Sequence, residues 1–409
     1  MATKRICLVT PGHLSTNPRL VKEADALSAA GFEVTVVASR FIAWADAADR
    51  EFEIRPWRVV KTVFGPLAGR PKHIGQALRQ KCFAFWFRLT GYGAELAYHP
   101  VIPALTRKAC AVPADLYIAH NLAALPAAYR AARRHNAKLA FDAEDFHRGV
   151  MHEDGQNALL KQHISLLESR YIHQCHYLTA ASPGIARAYM EALHIPKPEV
   201  ILNVFPLADA PLMPSRVEIP PSLYWFSQTL GADRGLESAL KAIAVSLTRP
   251  RLVLRGQVTE AYRNTLLKLA ADLGVAHLLS FQPPAAPSEM MRLAAEHSAG
   301  LASEQSDTFN HDICLSNKIF TYLLAGLPVL ATRTSAQVEL AADCTGAIHL
   351  YEQDDIEQLA AHIDHLIGNP QRLAEAREVA WRLGRECYNW EQEQQKLLTL
   401  VQSALVTSL

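Results

Sequence analysis

Along most of the chain, short apolar runs alternate with stretches whose apolar positions recur every three or four residues, the pattern of strands followed by amphipathic helices. An apolar run at 5–10 closes on Pro11-Gly12-His13, and a helix is predicted over 18–30 with Asn17 as its cap and Pro18 in its first turn. A strand follows at 34–38. After a helical region at 69–111 the alternation resumes, with strands at 116–119, 138–141, 177–181 and 200–204 and helices at 124–134, 156–175 and 183–193. Residues 206–221, PLADAPLMPSRVEIPP, carry neither period and read as a linker. The pattern then restarts, with strands at 223–227, 252–254, 278–281 and 299–302 and helices at 235–247, 260–273 and 288–297. The next unit, 315–332, reads LSNKIFTYLLAGLPVLAT: Ser316 caps a helix, Gly326 ends it and Pro328 opens a buried strand at 329–331. Further α/β units run to 368, and 371–405 is helical. Such alternation predicts α/β architecture with parallel sheets. A chain of 409 residues exceeds what one core usually accommodates. Two doubly wound, Rossmann-like domains facing across a cleft are therefore expected, at 1–205 and 222–387. The remaining segment, 388–409, is expected as a closing helix.

Composition narrows the partners. Lys and Arg number 41 against 40 Asp and Glu, a balance that disfavours a nucleic-acid partner. Seven cysteines are scattered without paired spacing, as expected of reduced, cytosolic thiols rather than a disulfide framework or a zinc site. The start, MATKRICLVTPGH, lacks a signal-peptide core, and no apolar run is long enough to span a bilayer. A cytoplasmic protein is expected, at most attached to the inner membrane face. Membrane attachment is suggested by residues 69–111, where Lys72, Arg79, Lys81 and Arg88 stand among Phe83, Phe85, Trp86 and Phe87. A basic helix rich in aromatics can lie on an anionic membrane or hold a lipid-linked acceptor. The alternative is a helical pair packed on the sheet with its basic residues in solvent.

Candidate chemistry clusters at strand ends and at one helix start. Open α/β sheets bind ligands beyond the carboxyl ends of their strands. Three polar groups fall there: Gly12 and His13 through Asn17, His120-Asn121, and the run from Asp142 to His147 that includes Glu144 and Asp145. At Ser316-Asn317-Lys318, unpaired amides and the positive end of the helix dipole coincide with a lysine, where dipole logic alone favours an acid. A bound phosphate would satisfy the amides and the ammonium together. The GxGxxG fingerprint is absent after the first strand, which argues against a dehydrogenase.

With these motifs in order, the chain resembles the GT-B glycosyltransferases of the large retaining, GT4-like group over nearly its whole length. TNPRLVKEADALSAAGFEVTVVA, which contains Asn17, Pro18 and Arg19, is similar to the family's first helix and second strand. DLYIAHNLAALPAAYRAARRHNAKLAFDAEDFH is similar to the segment that places a histidine and an acidic cluster at successive strand ends. WFSQTLGADRGLESALKAIA resembles the phosphate loop and its basic-Gly turn, SNKIFTYLLAGLPVLAT the donor-binding helix, and YNWEQEQQKLL the closing helix, which commonly crosses back to the N-terminal domain. Two positions depart from the pattern. Thr321 stands where the family carries the glutamate that holds the donor ribose, and Ser227 is near the place of a frequent arginine. The earlier family glutamate has its candidates in Glu304, Asp307 and Asp312.

The resemblance implies transfer of a sugar from a nucleotide-sugar donor, a UDP- or GDP-sugar, to a glycan or lipid-linked acceptor, as in polysaccharide assembly. It further implies retention of anomeric configuration, with neither metal nor cofactor. Arg234 and Lys318 would stabilise the leaving diphosphate and His120 would meet the reacting sugar. Gly12, Ser227, Gly235, Glu304, Ser316, Asn317 and Thr321 would bind the donor, and His13, Asn17, Arg19, Glu144 and Asp145 would serve the acceptor side. A nucleotide-sugar epimerase on the same fold and a non-catalytic GT-B scaffold are the two alternatives.

Overall fold

The computed structural model describes residues 3–152, 157–212 and 220–406. The chain divides into two units, one formed by Met1–Ile201 with Gln394–Leu409, the other by Leu202–Glu393. Unit 1 contains seven strands: β1 (Arg5–Val9), β2 (Glu33–Arg40), β3 (Arg58–Val63), β4 (Leu116–His120), β5 (Lys138–Ala143), β6 (Tyr177–Ala180) and β7 (Glu199–Val200). They form one parallel sheet in the order β3-β2-β1-β4-β5-β6-β7. The order reverses between β1 and β4, whose central residues are buried on both faces as a doubly wound sheet requires. Unit 2 repeats the design with β8 (Ser222–Leu230), β9 (Arg251–Val258), β10 (Leu279–Gln282), β11 (Ala299–Ala302), β12 (Val329–Thr332) and β13 (Ile348–Tyr351). Its parallel sheet runs β10-β9-β8-β11-β12-β13, with the reversal between β8 and β11.

The expected alternation is present, with local differences. Strand β3 was not anticipated: its residues RVVKTV lie at the sheet edge, half-exposed, and the interspersed basic side chains hide the apolar alternation. Strand β8 continues past Ser227 to Leu230 through a register shift between Phe226 and Thr229. The helix expected at 156–175 is observed as Ala158–Tyr171, followed by a short 3-10 turn; residue 156 lies outside the described residues. Of the expected linker, 213–219 lie outside the described residues, whereas Leu207 and Ala210 pack against Met290, Met291 and Leu324 of unit 2. Glu391 and Glu393 fasten this stretch by accepting the backbone amides of Leu207 and Leu202, both at 2.9 Å. Apolar packing and these two carboxylates, invisible to local period, therefore draw 202–212 into unit 2.

Candidate functional site

In unit 2 three segments meet where the strand order reverses. The turn between β8 and the following helix passes through left-handed backbone at Asp233 (φ 61°) and Gly235 (φ 69°). A Cβ on Gly235 would lie 2.8 Å from that of Ser303, so only glycine lets this turn press against the end of β11. Ser303 Oγ donates to the Arg234 carbonyl at 2.6 Å, and the Arg234 side chain stays exposed. One residue on, Glu304 Oε1 accepts from Lys318 Nζ at 2.7 Å. Thr332 Oγ1 donates to the Glu304 carbonyl at 2.6 Å and fixes that turn.

Lys318 belongs to the helix Asn317–Ala325, which Ser316 caps by accepting the Lys318 amide. Tyr322 lies on the sheet at Gly300, where a Cβ would come within 2.3 Å of the ring. Its hydroxyl is 3.1 Å from the carbonyls of Tyr224 and Leu301, which anchors the helix and sets its first turn beside Glu304. The Lys318 ammonium also sits 5.3 Å from the Trp225 ring centroid, within cation–π range. Burial would raise the Glu304 carboxyl, but the Lys318 charge and hydrogen bond hold it below its usual range.

Three expectations in this unit are corrected. The lysine in the first turn has an internal counter-ion, Glu304, so its presence does not by itself call for an outside anion. Thr321 is fully buried and donates to the Asn317 carbonyl one turn back at 3.1 Å, so its hydroxyl is committed within the helix and does not reach the surface. Ser227 lies within β8 at the register shift, not in a phosphate loop.

In unit 1 the sheet register builds a buried charged cluster. His120 on β4 is paired with Asp142 on β5, and Asp142 with Thr179 on β6, so the three side chains leave the same face of the sheet. The helix Pro18–Ala29 covers that face and supplies Arg19 and Glu23, one turn apart. Arg19 Nε and Nη2 each donate to one oxygen of Asp142 at 2.7 Å, and Nη1 donates to the Ile201 carbonyl at 2.7 Å. Thr179 Oγ1 donates to Asp142 at 2.5 Å. The His120 ring lies 2.7 Å from Glu23, 3.2 Å from Asp142 and 3.7 Å from Glu144. Burial would lower the His120 pKa, but the charge of Glu23 and the contacts with Asp142 and Glu144 raise it well above its ordinary value. Burial would likewise raise Asp142, yet Arg19 holds it well below the carboxylate range.

His120, Arg19 and His13 are therefore internal groups, contrary to their expected places beside the sugar or acceptor. His120 and His13 have no exposed surface, and Arg19 has 3%. The amides of Phe41 and Ile42 donate to His13 Nε2 at 3.0 and 3.1 Å, which leaves Nδ1 to donate to the buried Asp49 at 3.0 Å. Closer to the surface lie Gly12, Asn17, Glu144 and Asp145. Asn17 caps its helix through the Leu20 amide and donates to Glu144 at 3.2 Å. Beside them Asn121 takes left-handed backbone (φ 72°) immediately after β4. Glu23 was missed. Its signal was a charge one turn after Arg19 on the apolar side of the predicted helix, among Leu20, Ala24 and Leu27.

Among the described residues, Glu23, His120 and Asp142 bring potential metal ligands within 4.8 Å of one another. The donor set does not fit a cation, because Arg19 occupies both Asp142 oxygens and a guanidinium would border the ion. The imidazolium has a consequence for stability. The His120 pKa is raised in the fold, so its contribution is complete below the unfolded value near 6.5 and is lost as pH rises through the folded value. The stability margin of the native chain over His120→Gln is thus expected to be widest below pH 6.5. Above that it should shrink by about 1.4 kcal/mol per pH unit until the folded pKa is reached. Hydrogen exchange of β4 across this range, corrected for the intrinsic exchange rate at each pH, measures it, and a margin independent of pH would place a neutral ring in the cluster.

Two doubly wound parallel sheets in succession, each with its polar groups at the switch point, constitute the GT-B fold. Solved GT-B glycosyltransferases match it end to end. HepE of Anabaena in complex with UDP is 16% identical with a TM-score of 0.69, covering 98% of this chain and 100% of its own. A glycosyltransferase from Rickettsia africae is 15% identical with a TM-score of 0.70 and full coverage of both chains. Sucrose-phosphate synthase from Thermosynechococcus elongatus is 13% identical with a TM-score of 0.70, covering 99% of this chain and 100% of its own. No protein-family model matches the sequence, and no curated protein does.

Proposed function

We propose that the chain is a glycosyltransferase that moves a sugar from a UDP- or GDP-sugar to a hydroxyl of a glycan or lipid-linked acceptor. The observation that carries this reading is the meeting of the Arg234 turn, the Ser303-Glu304 turn and the Ser316–Lys318 helix start at one switch point. The fold of that unit is shared with HepE, whose structures hold UDP and UDP-glucose.

In the proposed reaction the bond between the anomeric carbon and the phosphate oxygen breaks while the acceptor oxygen bonds to the same carbon on the same face. The acceptor proton passes to the departing phosphate. Negative charge therefore grows on the diphosphate, where stabilisation counts most. Arg234 supplies an exposed cation, the amides of Ser316 and Asn317 directed donors, and Lys318 a second cation that shares its charge between Glu304 and the phosphate. With two cations in these roles the reaction requires no metal ion. Asn17, Glu144 and Asp145 would orient the acceptor, with His120 acting indirectly as the buried positive charge 3.7 Å from Glu144.

Ligand binding to the native state raises its stability, by about 2.7 kcal/mol at a hundredfold excess over Kd. UDP or GDP, and the corresponding nucleotide sugars, are expected to raise the melting temperature, with the effect lost in Arg234→Ala. Absence of any shift with UDP-, GDP- or ADP-sugars would rule out a donor-dependent enzyme. Slow hydrolysis of the bound donor would exclude a non-catalytic scaffold.

A further inference from the structure

We infer that unit 1 rests on an anionic lipid surface through the outer face of the helix Arg70–Thr90. Gln76, Gln80, Phe83 and Phe87 recur at helical spacing and form its inner side. Gln76 accepts the Gly65 amide at 2.9 Å, Gln80 donates to the carbonyls of Ala97 and Tyr98 at 3.2 Å, and the Phe87 ring meets His163 at 4.3 Å. At about 100° per residue, Ile74, Leu78, Phe85 and Leu89 fall together on the opposite side. A helix that packs by one face normally turns polar residues outward, yet here the outward stripe is apolar. Leu78, Phe85 and Leu89 are 61%, 64% and 66% exposed, and Trp86 beside them is 53% exposed.

The charge pattern selects the occupant. The whole chain has a net charge of +1, but residues 55–114 contain ten Lys or Arg and a single acid, Glu95. On the helix itself there is no acid. Arg70, Lys81 and Arg88 border one side of the apolar stripe and Trp86 the other, whereas Lys72 and Arg79 lie further round toward the packed side, where Arg79 donates to the Pro100 carbonyl. Apolar and aromatic groups beside a basic row, with no acid on the helix, match an acyl-chain boundary beneath anionic headgroups. None of the helices among the described residues is long and apolar enough to cross a membrane, so the contact is with one face of the bilayer. Membrane binding stands without the transfer reading; only the narrowing of the acceptor to a lipid-anchored one rests on it.

Co-sedimentation of the full chain with vesicles, no donor present, tests the inference separately from nucleotide binding. Vesicles of phosphatidylcholine with roughly a third phosphatidylglycerol are expected to bind the chain in a salt-sensitive manner, and phosphatidylcholine alone much less. Lys81→Gln and Arg88→Gln should each weaken binding about fivefold. Phe85→Ser with Leu89→Ser should weaken it at least about tenfold, given the apolar area withdrawn, with an unchanged melting temperature because both side chains are exposed. Binding that ignores lipid charge, or no binding at all, would overturn the inference. So would a dimer in light scattering that Phe85→Ser with Leu89→Ser dissociates, since a second copy would then cover the stripe.

Discussion

Arg19→Ala is expected to destabilise unit 1 by about 3–5 kcal/mol, the cost of removing one partner from a buried ion pair. The guanidinium makes three hydrogen bonds of 2.7 Å and is almost wholly enclosed, so its loss leaves Asp142 charged, buried and held mainly by Thr179 and His120. Replacing both partners with apolar residues often restores stability in such pairs. Here Arg19→Met with Asp142→Leu should restore only part, because Asp142 also faces the His120 imidazolium. A chain of two units need not unfold in one transition, so hydrogen exchange of Pro18–Ala29 and of β4 is the suitable measurement. Unchanged protection in Arg19→Ala would mean that the cluster is solvated and of little weight.

Arg234→Ala is expected to lower donor turnover by 10²–10³-fold, about 2.7–4 kcal/mol, with a smaller loss of donor affinity. The leaving-group charge grows toward the transition state, so a cation aimed at it should contribute more there than in the ground state. Arg234 gives the cleaner test of the two cations, because its side chain is exposed and its structural bond uses the backbone carbonyl. Lys318→Ala should match it in activity but also expose Glu304 to burial without its partner, with a stability loss that Arg234→Ala lacks. Hydrolysis of a bound nucleotide sugar supplies the rate without knowledge of the acceptor. Equal loss of binding with unchanged turnover would assign Arg234 to donor recognition alone.

Much of the fold was legible because hydrophobic period is local. The cap at Asn17, the Ser316 cap and the Gly326 stop were all read from adjacent residues and are observed. The edge strand β3 escaped because one exposed face and two basic side chains blur its alternation. In the site, Arg234, Gly235, Glu304 and Ser316 to Lys318 do converge, since they belong to consecutive turns at one sheet reversal. What local reading assigned wrongly was the direction of polar side chains. His13, Arg19 and His120 stand at strand ends or a helix start and Thr321 in the middle of its helix, and all are turned inward.

The sequence by itself determined the α/β alternation and the convergent turns of unit 2 at Arg234, Glu304 and Ser316, because strand period, caps and glycine turns depend on neighbours a few residues apart. Only the tertiary structure decided which charges face solvent. Arg19 meets Asp142 across 123 positions, and His120 meets Glu23 of a covering helix at 2.7 Å. Whether a buried charge is tolerable depends on partners that no local window contains, and the sheet register that brings those partners together exists only in the folded unit.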